Sequence, residues 1–382
     1  MWTRRRIAST TAVLAALALL IWLAFHSSEP SYHGKSLNRW LEQARQNKEI
    51  ENALADVYLD TPSAHAVRAM GKDALPSLIR MAHTRDTPFR RGMIELSRKY
   101  EWLGLHPQSF DDIQMKAAYG FSILGPSAKT ALPELTAMLD DPAPEVRLLA
   151  AFAIGKIGPA GASAIPALGK LIANSVSANP NRKHSTDERA LAAYALGSMG
   201  PAAQAALPQI ELLRKDSNYF VRAAGEAAFV KISGQGLDTI LEPLKDPSST
   251  NWMFAAQAIV FLGTNGAPAI PLLIAALQST NASVRDKALD AVSAIHMSPE
   301  TTIPAILPFV AATNTNNWNR ANALNALRNF GPSARAMVPI ATLQRAIEDP
   351  DENVRIHATN ALREIDPEAA RKLGIESGDD RK

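Results

Sequence analysis

The residues of this chain that could do chemistry are scattered along the sequence. The eight histidines stand singly, with no two at the three- or four-residue spacing that places metal ligands on one helix face. There is no cysteine, which excludes disulfides, thiolate nucleophiles and cysteine-based metal sites. Neither a glycine-rich phosphate loop nor a Gly-x-Ser-x-Gly elbow is present. We therefore assign no catalytic residue, no metal ligand and no cofactor, and expect a protein that is not an enzyme.

Charged side chains do recur at a fixed spacing. An aspartate precedes an arginine by six residues in the pairs Asp141–Arg147, Asp216–Arg222 and Asp349–Arg355. Further arginines occupy the same slot in the pattern, namely Arg189, Arg285 and Arg320. A column of arginines could bind phosphate or carboxylate groups, or it could join neighbouring structural units. The spacing alone leaves both interpretations open.

The same stretches contain a repeated turn. A Gly-Pro pair occurs at residues 125, 158, 200 and 331, and a second proline follows each pair by seven or eight residues. Between residues 146 and 157 the apolar side chains have the spacing of one helical face. Glycine ends helices cheaply in the left-handed conformation, and proline suits the first turn of a new helix. The repeated unit is therefore predicted to be a helix, a tight turn and a second helix.

These features together resemble a HEAT repeat. The Gly-Pro turn, the proline in the following helix, the loop aspartate and the Val-Arg pair that opens the next helix all match, most closely the HEAT-like repeats of phycobilisome lyases. The resemblance spans about residues 35–373. It implies an all-α, right-handed α-solenoid of about eight or nine helix pairs, which we expect to be a curved rod roughly 80 Å long.

The resemblance also bears on the charged columns. In HEAT proteins the equivalent aspartate and arginine residues usually form a ladder of hydrogen bonds and ion pairs that links adjacent repeats. A structural role of this kind is therefore implied for nine residues: Asp141, Arg147, Arg189, Asp216, Arg222, Arg285, Arg320, Asp349 and Arg355. An anion-binding column is the alternative.

The N-terminus carries a membrane signal. A basic tail (residues 1–6) precedes 19 residues without a charge (residues 7–25), which as a helix would span roughly 28 Å. This length and the arginines predict an uncleaved, single-pass signal anchor with the tail in the cytoplasm. The rest of the chain would then lie outside the cytoplasm, in the periplasm of a bacterium. Cleavage of the segment, which would release a secreted protein, is the alternative. The opening of the first helix, residues 34–41, resembles membrane-anchored HEAT-repeat proteins of environmental bacteria.

The remaining segments complete the predicted organisation. A short linker (residues 26–34) leads into the solenoid (residues 35–373), and a charged, disordered tail (residues 374–382) follows it. Insertions are predicted at about residues 84–109 and 173–187. Without the three arginines of the basic tail, the other 37 basic residues equal the 37 acidic residues in number. A nucleic-acid-binding surface would need an excess of positive charge, so we expect none.

Four residues are candidates for contact with a partner. Trp252 occupies an arginine slot and Trp318 lies two residues before one, where a tryptophan could either bind a partner or fill a gap between repeats. Arg90 and Arg91 belong to a basic helix predicted from about Pro88 to Trp102. That helix could contact an acidic partner or lipid headgroups, or it could be a solvated elaboration of one repeat.

The sequence thus predicts a membrane-tethered, non-catalytic scaffold that presents the concave face of a HEAT solenoid to another protein. The alternative is a HEAT-like lyase, or another enzyme of this fold, that acts on a protein-bound chromophore.

Overall fold

The computed structural model describes residues 29–47, 49–50, 61–100, 102, 107–174, 187–311 and 316–375. The predicted basic tail and membrane span lie outside these ranges. Most of the second insertion (residues 175–186) and most of the C-terminal tail (residues 376–382) do so as well.

The described chain begins with a small hairpin and continues as helices. Strands β1 (Ser31–Tyr32) and β2 (Lys35–Ser36) pair antiparallel. Twenty α-helices follow, namely α1 (Leu37–Gln46), α2 (Pro62–Met70), α3 (Leu75–Ala82), α4 (Pro88–Lys99), α5 (Phe110–Leu124), α6 (Leu132–Met138), α7 (Pro144–Ile157), α8 (Ile165–Asn174), α9 (Glu188–Ser198), α10 (Leu207–Leu213), α11 (Tyr219–Ser233), α12 (Leu237–Leu244), α13 (Trp252–Leu262), α14 (Ile270–Ala276), α15 (Ala282–Ile295), α16 (Pro299–Val310), α17 (Asn317–Asn329), α18 (Ile340–Ile347), α19 (Glu352–Ile365) and α20 (Pro367–Lys372).

The hairpin belongs to the folded body. Trp40 of α1 is buried, and its indole Nε1 donates a hydrogen bond to the carbonyl oxygen of Tyr32 at 3.1 Å. The Lys35 ammonium lies 4.4 Å from the centre of the Trp40 ring. Residues 31–34, which the sequence assigned to a linker, are therefore packed against the first helix.

A glycine with a positive φ and a strongly negative ψ forms the recurring turn, which differs from the left-handed helical conformation expected from the sequence. Helix α7 ends at Gly158, whose φ is +67°, and a 3-10 segment (Gly158–Ala164) then leads into α8. Proline follows within the first two residues of both segments, where its missing N–H costs no helical hydrogen bond. Positive φ values recur at the equivalent glycines Gly125, Gly200, Gly263 and Gly331. A side chain would be strained at each of these positions.

The helices form two layers. The first contains the long helices α5, α7, α9, α11, α13, α15, α17 and α19, each packed chiefly against the next in the row. Small residues permit close approach: a Cβ on Gly155 of α7 would stand 3.2 Å from Cα of Ala195 on α9. The short helices that alternate with them make few contacts with one another, which places the long helices on the inner side of the curve. Nine helix pairs are present among the described residues, which confirms an all-α solenoid.

The two edges of the solenoid differ. Because all long helices run in the same direction, their N-terminal ends share one edge, which we call the loop edge. The glycine turns lie on the opposite edge, which we call the turn edge. The first predicted insertion contains α4, between α3 and α5 at the loop edge. The second falls between α8 and α9, whose described ends Asn174 and Glu188 lie at the same edge.

The ends of the solenoid meet. The side-chain amide of Asn360 on α19 donates a hydrogen bond to the carbonyl oxygen of Asn47, which follows α1, at 3.2 Å. Glu49 is buried near the same contact. The expectation of an open curved rod is therefore wrong, because the first helix and the last repeat touch and the superhelix closes on itself.

Two described stretches are long and apolar enough to cross a membrane, Pro144–Asn174 and Trp252–Ala276. Each consists of a long helix, a glycine turn and a short helix. Their apolar side chains pack in the two layers of the solenoid. Core helices of folded proteins are often as long and as apolar as membrane spans, so these two stretches are explained by the core.

Candidate partner-binding edge

The arginines of the repeated slot bind the loop at the end of the preceding short helix. Arg147 and Arg222 donate from Nη1 to the carbonyl oxygens of Asp141 and Asp216, each at 2.7 Å. Arg355 makes the same bond to Asp349 at 2.8 Å. These arginines therefore hold backbone carbonyls, and the six-residue pair is not an ion pair between side chains.

The same arginine-to-carbonyl hydrogen bond, which we call the clamp, also forms where the residue six positions before the arginine is not an aspartate. The Nη1 group of Arg285 donates to the carbonyl oxygen of Ser279, six residues earlier, at 2.7 Å. The clamp thus depends on the arginine and the backbone alone.

The aspartate carboxylates serve two other purposes. Each accepts a backbone N–H two residues on: Asp141 from Ala143 at 2.8 Å, and Asp349 from Asp351 at 2.9 Å. Each carboxylate also accepts hydrogen bonds from an arginine that lies earlier in the chain, Arg85 for Asp141 and Arg320 for Asp349. Although burial raises the pKa of Asp141, the N–H of Ala143 and the guanidinium of Arg85, with Oδ2 at 2.9 Å, hold it below its ordinary value.

Two of these ion pairs connect adjacent repeats. Arg320 on α17 donates to both carboxylate oxygens of Asp349, at 2.8 and 2.9 Å, and both side chains are buried. Arg189 on α9 likewise binds Asp216 and its own neighbour Asp187, and hydrogen bonding to Asp187 raises the pKa of Arg189 further above its ordinary value. The repeated arginines and aspartates thus form hydrogen bonds with other groups of the protein, both within one repeat and between neighbouring repeats.

Trp252 does not lie on the surface. It is the first residue of α13, but only 1% of it is exposed, so the interpretation of Trp252 as a partner contact is wrong. The indole is part of the hydrophobic core formed by the C-terminal repeats. Its N–H has no hydrogen-bond partner among the described residues.

Trp318 does lie on the surface, at the loop edge. It is the second residue of α17, and 63% of it is exposed. The backbone beneath it is fixed, because Asn316 caps the helix by accepting the N–H of Asn319 at 3.2 Å. Asn317 reaches the next repeat, where its Nδ2 donates to Oδ2 of Asp351 at 2.6 Å. A large apolar side chain thus projects toward solvent from a fixed backbone.

Arg90 and Arg91 are in the loop-edge insertion, as expected. Helix α4 ends at Lys99, three residues before the predicted end. Arg90 is half-buried and donates from Nη1 to the carbonyl oxygen of Gln108 at 3.4 Å. Arg91 is exposed, and its Nε lies 3.3 Å from Oδ2 of Asp86. The insertion therefore packs lightly against the body of the solenoid.

A buried polar cluster near the junction of the two ends was not anticipated. Oε2 of Glu49 accepts hydrogen bonds from Tyr119 at 2.8 Å and from Thr61 at 2.7 Å. Burial, reinforced by the charge of Glu49, raises the pKa of Tyr119 well above its ordinary value. Because Glu49 and Tyr119 are 70 residues apart, no local pattern relates them. Throughout the ranges described, no group of three or more histidine, aspartate or glutamate side chains could hold a metal ion.

Comparisons with known proteins identify the repeat. A family model described as HEAT repeats matches residues 132–230 and 303–373. Among solved structures, the complex of CpcE and CpcF of phycocyanin lyase from Nostoc sp. PCC7120 is 18% identical, covers 89% of this chain and 98% of that one, and has a TM-score of 0.38.

Two further structures are similar to the same degree. Human deoxyhypusine hydroxylase in complex with glycerol is 18% identical over 72% of this chain and 99% of its own, with a TM-score of 0.34. An engineered protein is 17% identical over 86% of this chain and 98% of its own, with a TM-score of 0.33. Similarity at this level says nothing of activity or partners. No curated protein matches the sequence significantly.

Proposed function

Because this chain is a HEAT-repeat protein, we propose that it is a membrane-tethered, non-catalytic scaffold that binds another protein at its loop edge. The loop edge borders the concave side of the solenoid. At the junction of the two ends, the contact between Asn360 and Asn47 brings the first helix against the last repeat and narrows access to the concave side there. A partner is therefore expected at the border of the concave surface.

The observation that carries this proposal is the asymmetry of the two edges. At the turn edge, most of the described turns are short and begin with a glycine of positive φ. At the loop edge, the insertion that contains α4 separates α3 from α5, and the second predicted insertion begins after Asn174 and ends before Glu188. In repeat proteins, insertions accumulate on one face, and that face is often the one that binds.

Trp318 gives this edge a suitable anchor for a protein partner. Tryptophan is enriched among residues that dominate binding energy, and a backbone that is already ordered loses little conformational freedom on binding. The hydrogen bonds of Asn316 and Asn317 hold Trp318 in an exposed position before any partner arrives.

The membrane attachment in this proposal is argued from the sequence of the N-terminal segment. The uncharged run of residues 7–25 is as long as a membrane span, and Phe25 is four residues from Glu29, where the described structure begins. Four residues reach at most about 14 Å, so an intact anchor would keep the solenoid next to the bilayer.

A site-specific crosslink tests the protein partner. A photoreactive amino acid would replace Trp318 in the full chain, in native membranes of its source. The control is the same replacement at Leu212, which is 62% exposed on the short helix α10. We expect one discrete adduct from position 318 and none from position 212. Adducts of equal yield at both positions, or turnover of a substrate by the purified protein, would overturn the scaffold proposal.

Alkaline extraction of the same membranes tests the tether. An integral span should keep the full chain in the membrane pellet at high pH, whereas a chain that begins at Glu29 should be released. If the full chain is released too, the membrane attachment is refuted while the crosslink result keeps its meaning.

A further inference from the structure

Helix α4 is the only helix in the described part of the chain that buries none of its residues. Phe89, Met93, Leu96 and Tyr100 follow one another at spacings of four, three and four residues. This spacing places the first three on one face of the helix, and Tyr100 follows directly after its last turn. Phe89 is 79% exposed, Leu96 and Tyr100 are also exposed, and Met93 is half-buried. The helix thus presents an apolar stripe that is largely open to solvent.

The stripe continues beyond the helix. Trp102, two residues after Tyr100, is 81% exposed. Tryptophan and tyrosine are the residues that accumulate where a bilayer meets water, since each combines an apolar ring with a polar group.

Positive charge flanks the stripe. The segment from Arg85 to Lys99 contains five basic residues and two acidic ones. Ion pairs to Asp141 and Asp86 engage Arg85 and Arg91. The other three cations, Arg90, Arg98 and Lys99, form no ion pair with a described residue. An anionic surface would therefore complement the segment.

We propose that α4 lies flat on the bilayer, with the apolar stripe in the acyl boundary and the cations on anionic lipid headgroups. Charge complementarity and interfacial aromatic residues favour lipid over a protein partner. The inference rests on the proposed tether, because an anchor that ends four residues before Glu29 holds the solenoid beside the membrane. The membrane would then have two contacts with the chain, the anchor and α4.

A fluorescent label on α4 tests this proposal. The natural chain has no cysteine, so a single Phe89→Cys variant can be labelled uniquely with bimane. The full chain would be reconstituted into vesicles of phosphatidylcholine, with or without phosphatidylglycerol, whose acyl chains are brominated. The matched control is Leu212→Cys, on a short helix of the outer layer.

We expect bromine to quench the label at position 89 at least about twofold in the anionic vesicles, because an interfacial helix is buried roughly 5–10 Å into the acyl boundary. The label at position 212 should not respond. Adding Arg98→Gln and Lys99→Gln should weaken the bound state by roughly fivefold for each charge removed.

Three results would overturn the proposal. One is equal quenching at positions 89 and 212. Another is quenching at position 89 that does not depend on phosphatidylglycerol. The third is crosslinking of the Phe89→Cys thiol to a second copy of the chain, which would make the stripe a self-association surface. In each case the alkaline extraction reports separately on the tether, so failure of α4 to bind lipid is distinguishable from failure of the anchor.

Discussion

At the scale of single residues, the contacts of Arg320 and Asp349 differ from those of charged pairs on the surface. The guanidinium and the carboxylate are both buried, and two hydrogen bonds join them across neighbouring repeats. Removing one partner of a buried pair leaves the other charge without compensation. This interaction therefore matters to stability in a way that an exposed pair does not.

We predict that Asp349→Ala lowers the free energy of unfolding by about 3–5 kcal/mol, because the buried Arg320 guanidinium then loses the two carboxylate acceptors that Asp349 supplies. The control is Asp140→Ala, which breaks the exposed pair with Lys170, whose Nζ lies 2.8 Å from Oδ1. That change should cost about 0–1 kcal/mol. Urea titration of both variants decides the matter, and equal losses would mean that burial is not the cause.

Trp252 yields a second prediction at this scale. Trp252→Ala should cost about 3–5 kcal/mol through lost packing and the resulting cavity. Trp252→Phe should cost much less, since it keeps an aromatic ring and removes an indole N–H that has no described partner. Denaturant midpoints of the two variants measure this difference. If Trp252→Phe destabilises the protein as much as Trp252→Ala does, the N–H must have an acceptor in solution.

At the scale of helices, glycines set how closely the layers approach. A Cβ on Gly225 of α11 would lie 2.8 Å from Cβ of Leu213 and 3.1 Å from the backbone nitrogen of Arg214. A Cβ on Gly92 of α4 would meet no atom within 4 Å. The same substitution therefore has opposite consequences at the two positions.

We predict that Gly225→Ala lowers stability by about 1–3 kcal/mol, because the backbone of α10 must move away. Gly92→Ala should instead stabilise α4 by up to about 1 kcal/mol, the difference in helix propensity. Thermal unfolding measures the first effect and amide hydrogen exchange in α4 the second. Stabilisation by both substitutions would show that α10 and α11 are not tightly packed.

The first helix is fixed by an ion pair that depends on pH. A hydrogen bond from Arg45, together with Lys116, lowers the pKa of Glu42 to about 2 despite partial burial. Lys116 itself is fully buried on α5, with Nζ 2.5 Å from Oε2 of Glu42. The pKa in the folded protein is thus below that of the unfolded chain. The resulting stabilisation is complete above about pH 4.5 and is lost as the pH falls toward 2.

Glu42→Gln should therefore cost about 1–2 kcal/mol at pH 7, a value that allows for screening of the partly exposed carboxylate. The difference from the natural protein should shrink as the pH falls below about 4.5 and approach zero near pH 2. Chemical denaturation at a series of pH values tests this, and a constant penalty at Glu42 across the series would contradict the linkage.

Much of the helical architecture could be predicted from local patterns. The Gly-Pro pairs mark the turns because Gly158 and its equivalents combine a positive φ with a strongly negative ψ, a conformation that essentially only glycine adopts. The stripe on α4 was missed, since the sequence offered no sign that Phe89 and Leu96 belong to a helix that packs only lightly against the solenoid. The burial of Trp252 was also unpredictable, because a tryptophan at the loop edge can turn inward or outward with the same sequence around it.

At the scale of the whole molecule, the contact between the ends changes how the solenoid should behave. In an open solenoid each repeat contacts only its neighbours, so stability is a sum of local terms. Here Asn360 contacts Asn47, at a separation of 313 residues, and the charges of Glu49 and Arg328 both act on Tyr119. No repeat pattern encodes such a contact, because it depends on the accumulated curvature of all the helix pairs. The sequence could therefore predict the unit but not the closure.

Closure can be tested by crosslinking, since the natural chain has no cysteine. We predict that Asn47→Cys and Asn360→Cys in one chain are joined rapidly by a short bismaleimide, because the residues they replace are in hydrogen-bond contact. The control pair Asn47→Cys and Leu212→Cys should not react within the molecule. Adding Gly225→Ala, which disturbs the curvature at α10 and α11 far from either end, should slow the first crosslink. An equal rate for both pairs would mean that the ends are apart in solution, and the concave face would then be open to a partner along its whole length.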